Sequence, residues 1–241
     1  MRRVRKAWVW FASALALGVL ALLMTAGWVG ASSDPSPGAG PVIDRDTVRN
    51  PDGTVGPVVA LGDSLTADLG WAVAPGGVVY PSWFTAALGD EPRLVAAANA
   101  GIPGDTTQGM VARFARDVAV HAPRVVVILG GTNDLPLGRA PEQVVGTLEQ
   151  LADQARDAGA VPVLATVPPR TDGSFTSDVA DLNAGIRRSA AVSGTPVIDF
   201  FSVLADEGGG WREGFTLDGV HPTQAGADAM GRIAVETLVG D

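Results

Sequence analysis

From residue 58 onward, short apolar runs punctuated by Gly, Pro and Asp alternate with longer stretches of helical period. The runs at 58–61, 93–98, 124–129, 161–166 and 195–199 read as strands. The run Arg124 to Leu129 is apolar enough to be central in a sheet buried on both faces. Between the strands the pattern predicts helices over 83–88, opened by Pro81 or Ser82 and stopped by Gly89, and over 107–120, ended by Pro123. A third spans 141–158, with Pro141 in its first turn and Gly159 beyond its end. Helices over 178–193 and 223–239 complete the set, with a long loop expected over 200–217. Strands and helices alternating in this way give an α/β fold, a three-layer α/β/α sandwich around a parallel sheet of about five strands. In such sheets, sites form in the loops at the carboxyl ends of the strands.

The chain ahead of this pattern differs in kind. Residues 1–6 carry Arg2, Arg3, Arg5 and Lys6, and residues 7–31 contain no charge. At about 1.5 Å per residue, residues 7–29 reach across a hydrocarbon layer of about 30 Å, with Trp8 and Trp10 near one end and Trp28 near the other. Val29, Gly30 and Ala31 also form a small-residue site at which a signal peptidase can cut. Either a membrane anchor or a signal peptide is expected here, and both place the rest of the chain outside the cytoplasm. Residues 32–56 are rich in Pro, Gly, Ser and Asp and read as a flexible linker, with the folded domain spanning 57–241.

Charge and scarce residue types narrow the chemistry. Of 17 basic residues, four precede the first acidic one, so the remainder of the chain sets 13 basic groups against 26 acidic ones. A domain so acidic repels nucleic acid and anionic surfaces, which leaves the N-terminal segment as the expected membrane contact. With no cysteine and two histidines, His121 and His221, thiolate catalysis, disulfides and His-rich metal centres are excluded. No nucleic-acid partner is expected, and the domain is expected to be monomeric.

Four loops carry chemistry. Ser64 follows the first strand in Gly62-Asp63-Ser64-Leu65, where the turn lifts a hydroxyl above the sheet. The loop 99–107 contains Gly101, which offers a backbone N–H free of side-chain cover. Its glycines lack the Lys and the spacing of a phosphate loop. Asn133 closes the third strand in Gly131-Thr132-Asn133-Asp134, and Asp218 and His221 share the turn Asp218-Gly219-Val220-His221-Pro222. Acyl transfer needs a nucleophile, a base, a group that orients the base and donors for the oxyanion. Ser64, His221, Asp218 and the pair Gly101 and Asn133 can fill those roles in turn. Each motif alone is an ordinary turn. Asp63 and Asp134 read as loop braces, and His121 as a helix-end residue.

Taken together, in this order and each at a loop, the motifs resemble those of the SGNH hydrolases, the GDSL esterase/lipase family. The resemblance runs from about Pro57 to the C-terminus. It implies a flavodoxin-like fold and a cofactor-free serine esterase with Ser64 as nucleophile, His221 as base and Asp218 as its orienter. The oxyanion hole would be formed by Ser64 N–H, Gly101 N–H and the Asn133 side chain. Trp211 and Phe215, just ahead of Asp218, are candidates to line the substrate site. Short-acyl, lysophospholipid-like and acetyl-glycan esters all fit this reading. An acyltransferase with the same residues, or a non-catalytic carbohydrate- or lipid-binding domain, is the alternative.

Overall fold

A computed structural model describes residues 41–68, 73–74, 78–172 and 175–240. The anchor or signal peptide expected over residues 1–31 lies outside them. No helix among the described residues is long and apolar enough to cross a membrane.

Five parallel strands form the central sheet: β1 (Val55–Gly62), β4 (Leu94–Gly101), β5 (Val125–Leu129), β6 (Val161–Ala165) and β7 (Val197–Ile198), in the order β4-β1-β5-β6-β7. A two-stranded antiparallel ribbon, β2 (Val73–Ala74) with β3 (Val78–Val79), stands apart. Helices α2 (Trp83–Asp90), α6 (Phe200–Leu204) and α7 (Gln224–Leu238) pack together on one face. Helices α3 (Thr107–Asp117), α4 (Pro141–Asp157) and α5 (Thr176–Ser193) cover the other. The sandwich expected from the sequence is the fold observed, with every β-to-β crossover carried by a helix as parallel pairing requires.

The core sits on both faces of β1 and β5. Val58, Val59, Ala60 and Leu61 and all five residues of β5 are fully buried, each Val, Leu or Ile contributing about 1.5–3 kcal/mol by leaving water. Side-chain caps set the helix starts. Ser82 Oγ accepts from Phe84 N and Thr85 N, Thr106 Oγ1 from Gly109 N, and Thr223 Oγ1 from Gly226 N.

Three boundaries differ from the sequence reading. The stretch 41–56 is not linker. A one-turn helix α1 (Arg45–Val48) is capped by Asp44, Ile43 and Val48 are buried in the core, and β1 begins at Val55. Three buried apolar residues scattered among Asp, Gly and Pro leave no period to detect. The loop after β7 contains α6, whose Phe200 and Leu204 are fully buried. Helix α3 stops at Asp117, and a 3-10 turn (Ala119–His121) follows it, closed by Ala122 in the left-handed region.

Chain direction fixes where a site can form. From β1 the chain steps to β4 on one side and then crosses to β5 on the other. This reversal opens a crevice at the carboxyl ends of β1 and β5. Gly62 is level with both Gly101 and Leu129, so the loops after β1, β4 and β5 leave the sheet side by side.

Candidate active site

The turn after β1 begins at Asp63, which is fully buried; its Oδ1 accepts the N–H of Leu65, and its backbone carbonyl accepts from Thr66 N and Ala67 N. This closes a tight turn with Ser64 at its crest, half-buried. Ser64 N–H has no hydrogen-bond partner among the described residues. Ser64 Oγ lies 2.9 Å from His221 Nε2, across 157 positions of sequence.

His221 is held by its own turn. Its Nδ1 lies 2.8 Å from Asp218 Oδ2, while Asp218 Oδ1 accepts the backbone N–H groups of His221 (2.8 Å) and Val220 (2.9 Å). Thr216 Oγ1 donates to the carbonyl of His221, and Thr216 and Pro222 bridge as an antiparallel pair. Partial burial pushes the Asp218 carboxyl up. The backbone and imidazole N–H of His221, the N–H of Val220 and the hydroxyl of Tyr80 together outweigh burial and hold it well below the usual carboxylate range. An ionised Asp218 keeps the proton on Nδ1 and leaves Nε2 as acceptor for the serine hydroxyl. The turn is anchored at Gly219, in the left-handed region at φ +80°. Its carbonyl accepts from Thr171 N of the loop after β6 and from Trp211 Nε1.

The loop after β4 departs from expectation. Gly101 N–H is accepted by Asn99 Oδ1 at 3.0 Å and so is already engaged. A Cβ on Gly101 would lie 2.2 Å from Ala67 N, so this glycine serves the close approach of β4 to the nucleophile turn. Asn99 reinforces that approach by donating to the carbonyl of Thr66 at 2.7 Å. Three residues on, Gly104 is exposed at φ +75°, with open space about it and no hydrogen bond to its N–H among the described residues. Backbone direction is invisible in a sequence. The clue that favours Gly104 is its position in Pro103-Gly104-Asp105, where a tight turn calls for a positive φ.

Asn133 does stand beside this loop. Its Nδ2 donates to the carbonyl of Asp105 at 3.0 Å and to Asp63 Oδ2 at 3.2 Å, so both amide hydrogens are engaged in linking the nucleophile turn to the loop after β4. Desolvation pushes the Asp63 carboxyl up to about 7; the N–H of Leu65 opposes it, and the nearby Asp105 and Asp134 carboxylates add to it. Asp134, also fully buried, braces the start of α3 by accepting from Thr107 N and Oγ1. Arg113, 7% exposed, ties the assembly from beneath. Its guanidinium donates to the carbonyls of Gly62 and Ala100 and to Asp105 Oδ2.

The remaining candidates fall elsewhere. Trp211 is buried and braces the Asp218 turn through Gly219, and Phe215 is half-buried and packs against the core. His121 is exposed beyond α3, four residues before β5 begins and thus at the amino ends of the strands, opposite the end that carries Ser64. Among the described residues, Ile102, Leu137 and Leu217 are large apolar side chains left exposed in loops that follow β4, β5 and β7, at the carboxyl ends of the strands. Tyr80, which the sequence reading passed over, contacts both members of the acid–base pair. Its hydroxyl donates to Asp218 Oδ2 at 2.9 Å and its ring lies 4.0 Å from the imidazole, centroid to centroid.

Comparison with known proteins agrees with this architecture. The chain is 33% identical over 171 residues to the esterase TesA of Pseudomonas aeruginosa, an alignment covering 70% of this chain and 80% of that protein. It is 29% identical over 168 residues to thioesterase 1/protease 1/lysophospholipase L1 of Escherichia coli K12, covering 69% and 76%. Among solved structures, a lipolytic protein of the G-D-S-L family from Desulfitobacterium hafniense superposes with a TM-score of 0.65 at 26% identity, covering 75% of this chain and 98% of that one. Residues 60–229 match the family model described as GDSL-like lipase/acylhydrolase, and the chain belongs to that family of serine ester hydrolases.

Proposed function

We propose that this protein is an exported esterase that works through an acyl-enzyme on Ser64 and takes esters with an apolar acyl chain. The observation that carries the mechanism is the unbroken relay from Ser64 Oγ to His221 Nε2 and from His221 Nδ1 to Asp218. As Ser64 Oγ attacks the ester carbonyl, its proton passes to Nε2 and the carbonyl electrons move onto oxygen. When the tetrahedral intermediate collapses, the C–O bond to the alcohol breaks and Nε2 returns the proton to the leaving oxygen. Water then repeats the sequence on the acyl-serine, releasing the acid and restoring Ser64. The basic start and uncharged run of residues 1–31 support export.

The oxyanion donors in this reading are Ser64 N–H and Gly104 N–H, both without a hydrogen-bond partner among the described residues, with the Asn133 amide as the third. The longer Asn133 bond, to Asp63, is the one that yields when charge develops on the substrate oxygen. Asn133→Ala is then expected to lower kcat by ~10²–10³, about 2.7–4 kcal/mol, with KM nearly unchanged. If instead kcat is near normal while the melting temperature drops by many degrees, Asn133 is a loop brace only.

The acyl preference rests on Ile102, Leu137 and Leu217, which expose apolar surface in the loops that converge on Ser64. Hydrolysis of p-nitrophenyl esters and acyl-thioesters of two to sixteen carbons, beside acetylated glycans, tests it. Chains of about six carbons or more are expected to exceed acetyl in kcat/KM by roughly tenfold or more, since each buried methylene contributes about 0.8 kcal/mol. A preference for acetylated glycans would overturn the apolar assignment. Adding an alcohol acceptor to the same assay separates hydrolysis from acyl transfer by product.

A further inference from the structure

We propose that Tyr80 is a positioning residue for the acid–base pair, its hydroxyl holding the Asp218 oxygen that serves His221 and its ring holding the imidazole in line with Ser64. The inference rests on the reading of Ser64, His221 and Asp218 given above and adds a fourth side chain to it. Tyr80 comes from the segment between the β2–β3 ribbon and α2, 138 residues from Asp218 in sequence.

Two contacts carry the proposal. Asp218 Oδ2 accepts from both His221 Nδ1 (2.8 Å) and Tyr80 Oη (2.9 Å), while Oδ1 is occupied by the two backbone N–H groups of its own turn. The carboxylate therefore has its acceptor positions filled and cannot rotate without breaking several bonds at once. The tyrosine ring, tilted 33° from the imidazole at 4.0 Å, covers one face of His221 and limits its swing about the side-chain torsions.

The two contacts act on the imidazole in opposite senses. The phenol O–H draws charge from Asp218 Oδ2 and so weakens its hold on an imidazolium. The ring face favours the imidazolium through its negative quadrupole. Among the described residues, Ser64 and Asp218 hydrogen-bond to the imidazole and the Tyr80 ring packs against it. The neighbouring loops bring Asp63 and Asp68 after β1, Asp105 after β4, and Arg170 paired with Asp172 after β6. These stay constant in the variants below, so differences report Tyr80.

The test compares Tyr80→Phe and Tyr80→Leu with the wild type in kcat/KM against pH on an aryl ester, with melting temperatures alongside. Tyr80→Phe keeps the ring and loses the hydroxyl. Its acidic limb is expected to move up by about half to one pH unit, because Asp218 then favours the imidazolium more strongly, and its plateau should fall about threefold. Tyr80→Leu loses both contacts, and its kcat is expected to fall about tenfold or more with KM within twofold. A Tyr80→Phe limb that overlays the wild type, or a folded Tyr80→Leu variant within threefold of wild-type kcat, overturns the proposal. Should the leucine variant not fold, the near-isosteric phenylalanine variant decides alone.

A spectroscopic readout is independent of turnover. The chain has one tyrosine, so a 13C label at the tyrosine Cζ gives one resonance. That resonance is expected to shift in Asp218→Asn, and an unmoved signal overturns the hydroxyl contact. Ser64→Ala separates the two levels of the reading. If that variant is inactive while the tyrosine variants overlay the wild type, Tyr80 alone is idle. If Ser64→Ala remains active, the nucleophile assignment has failed as well.

Discussion

Ser64→Ala is expected to reduce kcat/KM on any ester by about 10⁴ or more and to leave the melting temperature within a few degrees of wild type. The structure explains why the two effects separate. Among the described residues the Ser64 hydroxyl has one hydrogen-bond partner, His221, and the turn that carries it is closed by Asp63, Thr66 and Ala67. Removing Oγ takes away the attacking atom but none of the bonds that shape the turn. Ser64 is half-buried at the crest, so the lost oxygen leaves no sealed cavity. A fluorophosphonate probe gives the same answer covalently: it should modify wild-type protein at Ser64 and leave the alanine variant unmodified. Residual activity above about a hundredth of wild type, or labelling at another serine, would remove Ser64 from the mechanism.

Asp218→Asn is expected to cost about 10³–10⁴ in kcat, and here the local geometry dictates the failure. Two backbone N–H groups fix the identity of one side-chain atom: the position they address must remain an oxygen. The new amide nitrogen is therefore forced to the Oδ2 position, where it meets the Nδ1–H of His221 donor against donor, while the Tyr80 hydroxyl can turn to accept from it. The imidazole escapes the clash by moving its proton to Nε2. It then presents an N–H to Ser64 and can no longer accept the serine proton. Part of the loss should return at high pH, where hydroxide can remove that proton directly. A variant that retains more than a tenth of wild-type kcat at neutral pH would show that Asp218 does not govern the tautomer.

The sequence pattern conveys the fold well because the central strands are nearly pure apolar runs and helices α2, α3 and α7 carry side-chain caps. Val125–Leu129, buried at every position, cannot be read as anything but a buried segment of strand length. Less of the sheet edge is legible. Strand β7 is only Val197–Ile198, and β4 mixes buried and exposed positions without alternation. The segment carrying Ile43 and Val48 is hidden for a related reason, since single apolar anchors in a polar stretch have no period. At the site, Asp218 and His221 are legible because three residues on one turn suffice to join them. Gly101 misleads because the direction of an N–H depends on backbone angles and on Asn99, neither of which a motif encodes. Tyr80 has no local signature at all; its partners are brought to it by the folding of the chain between them.

The long span between Ser64 and His221 has a further consequence for the life of the molecule. The nucleophile leaves the ribosome early and the base late, after all five strands of the sheet. A nascent chain therefore carries an exposed serine with no base to activate it, and a partly folded one lacks the Gly219 carbonyl contacts that hold the base in place. Hydrolytic activity consequently appears last, once the topology is complete. Under the proposed reading in which the chain is exported, that order keeps an ester-cleaving centre silent inside the cell that makes it. It also turns enzyme activity into a clean reporter of completed folding.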